Sequence, residues 1–192
     1  MNTQVFFFGG FQAKQTDMNL WLGSARAQKA DVDFHAFPWP PGAGAGSKSA
    51  IAAFSQGGRL DTLVDEIKIS TADVIYVVGH SSGCAIANAV VRKFGGGYDR
   101  VALVALDGFA PDRGEMARSN TQVWAATCGD VTSLNHDVLH DALGSVVQDY
   151  KATACTSKWA LHFSLVNSAA SDRTVTSIDT GYANCRANLM WM

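Results

Sequence analysis

Charge is scarce in this chain. Of its 192 residues only 17% are Asp, Glu, Lys or Arg, and the formal net charge is −2. No basic stripe or cluster stands out, so the electrostatic footprint of a nucleic-acid binder is missing and no nucleic acid is expected as a partner. Long apolar runs are also missing. None approaches the roughly 18 residues that a membrane-spanning helix needs, so no membrane span is expected. The N-terminal stretch MNTQVFFFGGF lacks both a basic leader and a small-residue cleavage site, which argues against a secretory signal and for the cytoplasm. The cysteines Cys84, Cys128, Cys155 and Cys185 form no C-x-x-C pair and no metal-binding spacing. Free thiols are therefore expected, although Cys155 and Cys185 could pair if the protein were exported. No repeat or linker divides the chain, which reads as one domain over residues 1–192.

What the chain has is apolar mass, 47% of its residues, and that favours a packed core over disorder. Thr3 to Phe8 (TQVFFF) is a continuous apolar run ending at Gly9-Gly10, the pattern of a central strand. Asp17 to Ala30 has helical spacing with Asp17 as an N-cap. Val32 to Phe37 alternates and stops at Pro38-Trp39-Pro40-Pro41, which marks a further strand. Helices are expected over about Ser49 to Phe54 and Arg59 to Lys68. Val101 to Leu106 and Thr121 to Cys128 read as strands, His136 to Tyr150 as a helix, Lys158 to Leu161 as a short last strand, and Phe163 to Ala170 as a helix. The apolar end, Asn188 to Met192, should pack on the body. Strands alternating with helices predict an α/β fold, a mainly parallel central sheet flanked by helices.

The chemistry is concentrated in ADVIYVVGHSSGCAIANAVV, residues 72–91. A β-branched strand (Val74 to Val78) breaks at Gly79-His80-Ser81-Ser82-Gly83 and continues as a small-residue helix, Cys84 to Lys93, closed by Gly95-Gly96-Gly97. This is G-x-S-x-G in the strand–turn–helix setting of a nucleophile elbow, and it makes Ser81 the candidate nucleophile. The strained turn demands glycine or very small neighbours, and Ala85, Ala87 and Ala89 let the helix pack tightly on the sheet. A serine hydroxyl near neutral pH needs a histidine base and that base an orienting carboxylate. The partners should follow in the order serine, acid, histidine. Asp107 and Asp130 each end a strand, and His162 is the histidine downstream of the last expected strand. His80, at the variable position of the elbow, is expected to be structural or pocket-lining.

The elbow GHSSG, the later VALVALDGFAP and the C-terminal LHFSLV together resemble the α/β-hydrolase superfamily. They are most similar to its thioesterase branch, the release domains of polyketide and nonribosomal peptide synthases. The resemblance implies Asp107 as the acid, in a D-x-x-x-P-like context with Gly108-Phe109-Ala110-Pro111, and His162 as the base opening H-F-x-x-(M/L/V). Asp130 stays the alternative acid, because it follows the strand that bears the acid in most other α/β hydrolases. The superfamily pattern also implies an oxyanion hole built from the backbone N–H of Ser82 and an N–H from the loop after the first strand. There Gly9-Gly10-Phe11 is similar to the H-G-x stretch, making Phe11 or Gln12 the second donor. The chain would start at the third strand of the full fold, and Pro111 to Asn120 is too short for a helical lid. A minimal, lidless member with a shallow pocket bordered by Phe11, Trp39 and Phe109 is implied.

Two further motifs point elsewhere. Gly42-Ala43-Gly44-Ala45-Gly46-Ser47-Lys48-Ser49 follows a strand, but Ser47 stands where a phosphate-binding loop needs glycine, so a rim loop is expected. His136-Asp137-Val138-Leu139-His140 spaces two histidines as in H-E-x-x-H. The general-base glutamate is replaced by aspartate and no third ligand is evident, so a solvated helix face is expected, with no metal or other cofactor. The sequence thus predicts a serine hydrolase for a small-molecule acyl ester or thioester. The alternative is a non-catalytic relative of the same fold that binds a small ligand or a protein partner.

Overall fold

A computed structural model describes residues 1–95, 99–108, 120–155, 157–172 and 175–192. The expectations for Gly96 and Gly97, for Phe109 through Pro111, and for a lid between Pro111 and Asn120 fall on residues outside the described ones, Asn120 excepted.

Three consecutive phenylalanines decide the centre of the molecule. In β1 (Thr3–Phe8) successive side chains point to opposite faces. Phe7 stacks on Trp21 of α1 (Gln15–Gln28) with ring centroids 4.2 Å apart. Phe8 meets Phe54 of α2 (Ser47–Ser55) edge-on at 5.4 Å. One strand is therefore covered on both faces, by α1 on one and α2 on the other, and its continuous apolar pattern follows from that. Each fully buried ring contributes about 1.5–3 kcal/mol of transfer free energy.

The sheet runs in the order β2 (Val32–Phe37), β1, β3 (Val74–His80), β4 (Val101–Leu106), β5 (Gln122–Cys128), all parallel, with β7 (Val147–Lys151) beside β5 and also parallel. A two-residue strand, β6 (Val131–Thr132), pairs antiparallel with the end of β5. The remaining helices are α3 (Arg59–Ile69), α4 (Gly83–Phe94), α5 (His136–Leu143), α6 (Lys158–Ser164) and the single turn α7 (Ile178–Gly181). Trp191 is buried and packs against Tyr76, so the C-terminal residues do close on the body.

Three elements differ from the sequence expectation. The helix read over 136–150 stops at Leu143, because Gly144 has φ +57° and breaks it; Val147 to Lys151 is then a strand. Lys158 to Leu161 is helix rather than strand and continues to Ser164. Residues 160–167 are buried on every side, and a run without periodicity does not separate the two states. The helix read over 163–170 is instead the end of α6 followed by a short 3-10 turn, Ser168–Asp172. At α1, Asp17 sits in the first turn and its carboxylate accepts from the N–H of Lys14, which is the N-cap. The described residues contain no disulfide. No described helix is long and apolar enough to cross a membrane.

Candidate active site

Strand register assembles the site. Phe8, Gly79 and Ala105 are paired across β1, β3 and β4, so the residues after these strands emerge together at one carboxyl edge of the sheet. They are Gly9-Gly10-Phe11, Ser81 and Asp107. The ladder extends one step past the strands: Ser81 N–H donates to Leu106 O at 2.9 Å, and Asp107 N–H to Trp124 O at 2.7 Å. Ser81 has φ +55°, a strained left-handed conformation at the sharp turn from β3 into α4, as the sequence reading of this turn requires. A Cβ on Gly83 would lie 2.4 Å from Phe8 O, and one on Gly79 would lie 2.4 Å from the Cα of Cys84. Glycine at these two positions is what lets α4 start so close to β1 and β3.

His162, in the last turn of α6, turns Nδ1 toward Asp107, 2.5 Å from Oδ2. Both side chains are buried, with exposures of 2% and 0%. The Ser157 hydroxyl accepts from Ala160 N–H and caps this helix. Asp107 also carries positive φ, +44°, and is held from three sides. The Ser133 hydroxyl donates to Oδ1 at 2.7 Å, Asn135 N–H reaches Oδ2 at 3.4 Å, and the Asn135 amide donates to the Asp107 carbonyl at 2.6 Å. Asp130 lies exposed in the turn between β5 and β6. Of the two acids the sequence left open, the geometry brings Asp107 to His162. Sequence reasoning missed Ser133 and Asn135; just ahead of α5 they pass for ordinary capping residues, and only the fold turns them toward Asp107.

His80 is fully buried and joins three segments. Its Nε2 lies 3.0 Å from His162 O, and its Nδ1 lies 2.7 Å from the hydroxyl of Tyr182, which accepts from Gly10 N–H at 3.1 Å. A carbonyl only accepts, so Nε2 carries the proton and Nδ1 accepts from Tyr182. Every group in the chain is satisfied when His80 is neutral. Burial, followed by the neighbouring His162, holds its pKa well below the usual imidazole range. The unfolded chain therefore binds one more proton at acidic pH. The contribution of this network to stability is complete above about pH 6.5 and fades below it, by up to about tenfold per pH unit in the folding equilibrium. Denaturant midpoints measured from pH 7.5 to 5 should fall with this slope and fall less steeply in His80→Gln. An unchanged slope in the variant sinks the assignment.

Cys84, beneath the elbow, is no rival nucleophile. Burial pushes its thiol up to about 12, and it donates to Gly79 O at 3.1 Å.

A pocket of about 150 Å³ opens in front of Ser81. It is lined by Gly10, Phe11, Ala45, His80, Ser81, Ser82 and His162 together with Leu134, Trp159, Phe163, Ile178 and Tyr182. Among the described residues neither Phe11 N–H nor Ser82 N–H has a hydrogen-bond partner, whereas Gly10 N–H is taken by Tyr182. Gln12, the other candidate donor, is exposed and does not line this pocket. Trp39 packs edge-on against Phe11 but borders a neighbouring groove, a correction to the expected pocket rim. Trp159, Phe163 and Tyr182 take that place. A second cleft, about 300 Å³, shares Ser81, Ser82, Leu134 and Ala45 and runs along Gly46, Ser47 and Asn135. The Gly-Ala stretch before α2 is thus the rim the sequence suggested.

No protein-family model matches the chain, and no curated protein matches its sequence. Solved structures do. A Thermoplasma acidophilum protein described as a CIB-like hydrolase is 14% identical, superposes with a TM-score of 0.50, and covers 79% of this chain and 75% of its own. A Pectobacterium atrosepticum protein described as a YdeN-like hydrolase is 15% identical, with a TM-score of 0.45 over 78% of this chain and 77% of its own.

Proposed function

The chain has the α/β-hydrolase fold, and on that premise we propose that it is a serine hydrolase cleaving an ester or thioester through an acyl-enzyme. One observation carries the reading. Ser81, Ser82, Phe11 and His162 line a single pocket, and the Asp107 carboxylate sits on Nδ1 of His162, leaving Nε2 for the serine in the proposed scheme.

In the proposed reaction Ser81 Oγ attacks the acyl carbon while its proton passes to His162 Nε2. The Nδ1–H stays hydrogen-bonded to Asp107, which fixes the tautomer and stabilises the imidazolium. Negative charge develops on the former carbonyl oxygen and is met by the N–H groups of Phe11 and Ser82, the latter immediately ahead of α4. Collapse breaks the carbon–oxygen or carbon–sulfur bond, and Nε2 returns its proton to the leaving group. Water then gives a proton to Nε2 and attacks the acyl carbon. Ser81 departs with that proton and the free acid is released. In this scheme the acid–base work falls to His162, oriented by Asp107.

Pocket size narrows the substrate. Drug-sized ligands occupy about 300–1,000 Å³, so the aromatic pocket of about 150 Å³ suits a short acyl group. The adjoining cleft along Gly46, Ser47 and Asn135 offers room for the alcohol or thiol that leaves. A thioester, as in the thioesterase branch, is the finer form of this proposal.

A fluorophosphonate probe tests it. The folded protein should gain one phosphonyl group, on Ser81, and Ser81→Ala should gain none. If the folded chain stays unlabelled while a known esterase labels beside it, the enzyme reading fails and a non-catalytic relative that binds a ligand or partner takes its place.

A further inference from the structure

Beyond the pocket, the strongest feature left over is on the outer side of α5. His136 and His140, one helical turn apart, face Asp149 on β7, a third partner the sequence did not reveal. The Nε2 atoms of both rings converge on one carboxylate oxygen, Asp149 Oδ1, at 3.3 and 3.0 Å. The three candidate donor atoms all lie within 4.8 Å of one another. On its other side, His136 Nδ1 lies 2.8 Å from Asp137 Oδ1.

From these contacts we propose that His136, His140 and Asp149 bind a zinc-class divalent cation, with water in the remaining position. Ligands about 2.0–2.1 Å from a tetrahedral ion stand about 3.3 Å apart, close to the two nitrogen–oxygen distances of 3.3 and 3.0 Å, and the two nitrogens lie within 4.8 Å of each other. The donor set also fits. Two imidazole nitrogens and one carboxylate suit zinc and its neighbours, whereas calcium and magnesium require oxygen shells. Asp137 accepts the Nδ1 proton of His136 and so presents Nε2 as the lone-pair nitrogen, the carboxylate–histidine arrangement that orients metal ligands. In the neutral imidazole that lone pair faces the Asp149 carboxylate, an arrangement that only a proton or a cation between them relieves. A cation between them turns the conflict into two bonds, and any proton carried on a ligating Nε2 is released to solvent.

The site is separate from the proposed hydrolytic centre, since none of its three residues lines the pocket around Ser81. It acts as a clamp. The ion ties α5 to β7, and α5 begins immediately after Asn135, which holds Asp107.

Titration calorimetry of the full chain, stripped with chelator and dialysed, tests the clamp with zinc chloride as the probe. One equivalent should bind, and Tm should rise with zinc concentration. His140→Ala should abolish that binding, Asp137→Asn should weaken it by about 10–100-fold, and His35→Ala should leave it unchanged. Histidine ¹⁵N spectra of the unmutated chain give a reading independent of variant folding: the Nε2 signals of His136 and His140 should move on zinc addition while those of His35 do not. Three results overturn the proposal: no uptake, uptake undiminished in His140→Ala, or shifts elsewhere than His136 and His140. Each would leave the trio as a surface ion-pair cluster. None bears on the reading of Ser81, which the fluorophosphonate probe tests without added metal.

Discussion

Ser81→Ala and His162→Ala are each expected to lower kcat for an activated short-chain ester by about 10⁶-fold, and the double variant to be no worse than either. The shared loss follows from their working as one unit. The hydroxyl is a nucleophile only while Nε2 accepts its proton, so removing either group removes the same step. KM should change little, because the aromatic lining residues Phe11, Trp159, Phe163 and Tyr182 stay in both variants. Some rate above the uncatalysed reaction should survive, since the N–H groups of Phe11 and Ser82 still meet the oxyanion. The measurement is a two-by-two comparison of kcat with circular dichroism confirming that all four proteins fold. Losses that multiply in the double variant would show that the two residues act separately, and the proposed mechanism would fail.

The half of the fold before Leu106 was legible because β1, β3 and β4 are largely apolar runs and β2 alternates, each ended by glycine, proline or aspartate. Phe6, Phe7 and Phe8 announce a strand covered on both faces, and VALVAL does the same for β4. The strand-to-helix turn was legible for a sharper reason: a Cβ at Gly79 or Gly83 would lie 2.4 Å from a neighbouring backbone atom, so these two glycines are required and the turn is written in the sequence itself. Beyond β5 the signal weakens. Val146 and Val147 fall on the helical period of α5 and conceal the break at Gly144. The buried run of α6 has no period to read.

Site residues divide along the same line. Ser81 and His162 stand in recognisable motifs. Ser133, Asn135 and Tyr182 come from segments whose local sequence favours only turns and caps, and the tertiary fold alone brings them to Asp107 and His80. Asp149 was invisible for a related reason: the helical spacing read over 136–150 takes it in, and within that helix it could not stand opposite His136 and His140 on a neighbouring strand.

Asp107→Asn is expected to lower kcat by about 10⁴-fold, with Asp130→Asn indistinguishable from the parent chain. The loss should arise from orientation as well as charge. Ala126 N–H occupies a lone pair of the Ser133 hydroxyl at 3.0 Å, so its proton goes to Oδ1 of residue 107. An asparagine there keeps its oxygen on Ser133 and turns its NH2 toward His162 Nδ1. The imidazole then accepts at Nδ1 and carries its proton on Nε2, the tautomer that takes nothing from Ser81. Adding Ser133→Ala removes the donor that fixes this orientation and frees the amide to flip, so the double variant should recover part of the lost rate. Parallel kcat measurements on the three variants decide the point. A full loss from Asp130→Asn with Asp107→Asn active would remove Asp107 from the mechanism. A double variant as slow as or slower than Asp107→Asn would show that charge alone, without the tautomer, accounts for the carboxylate.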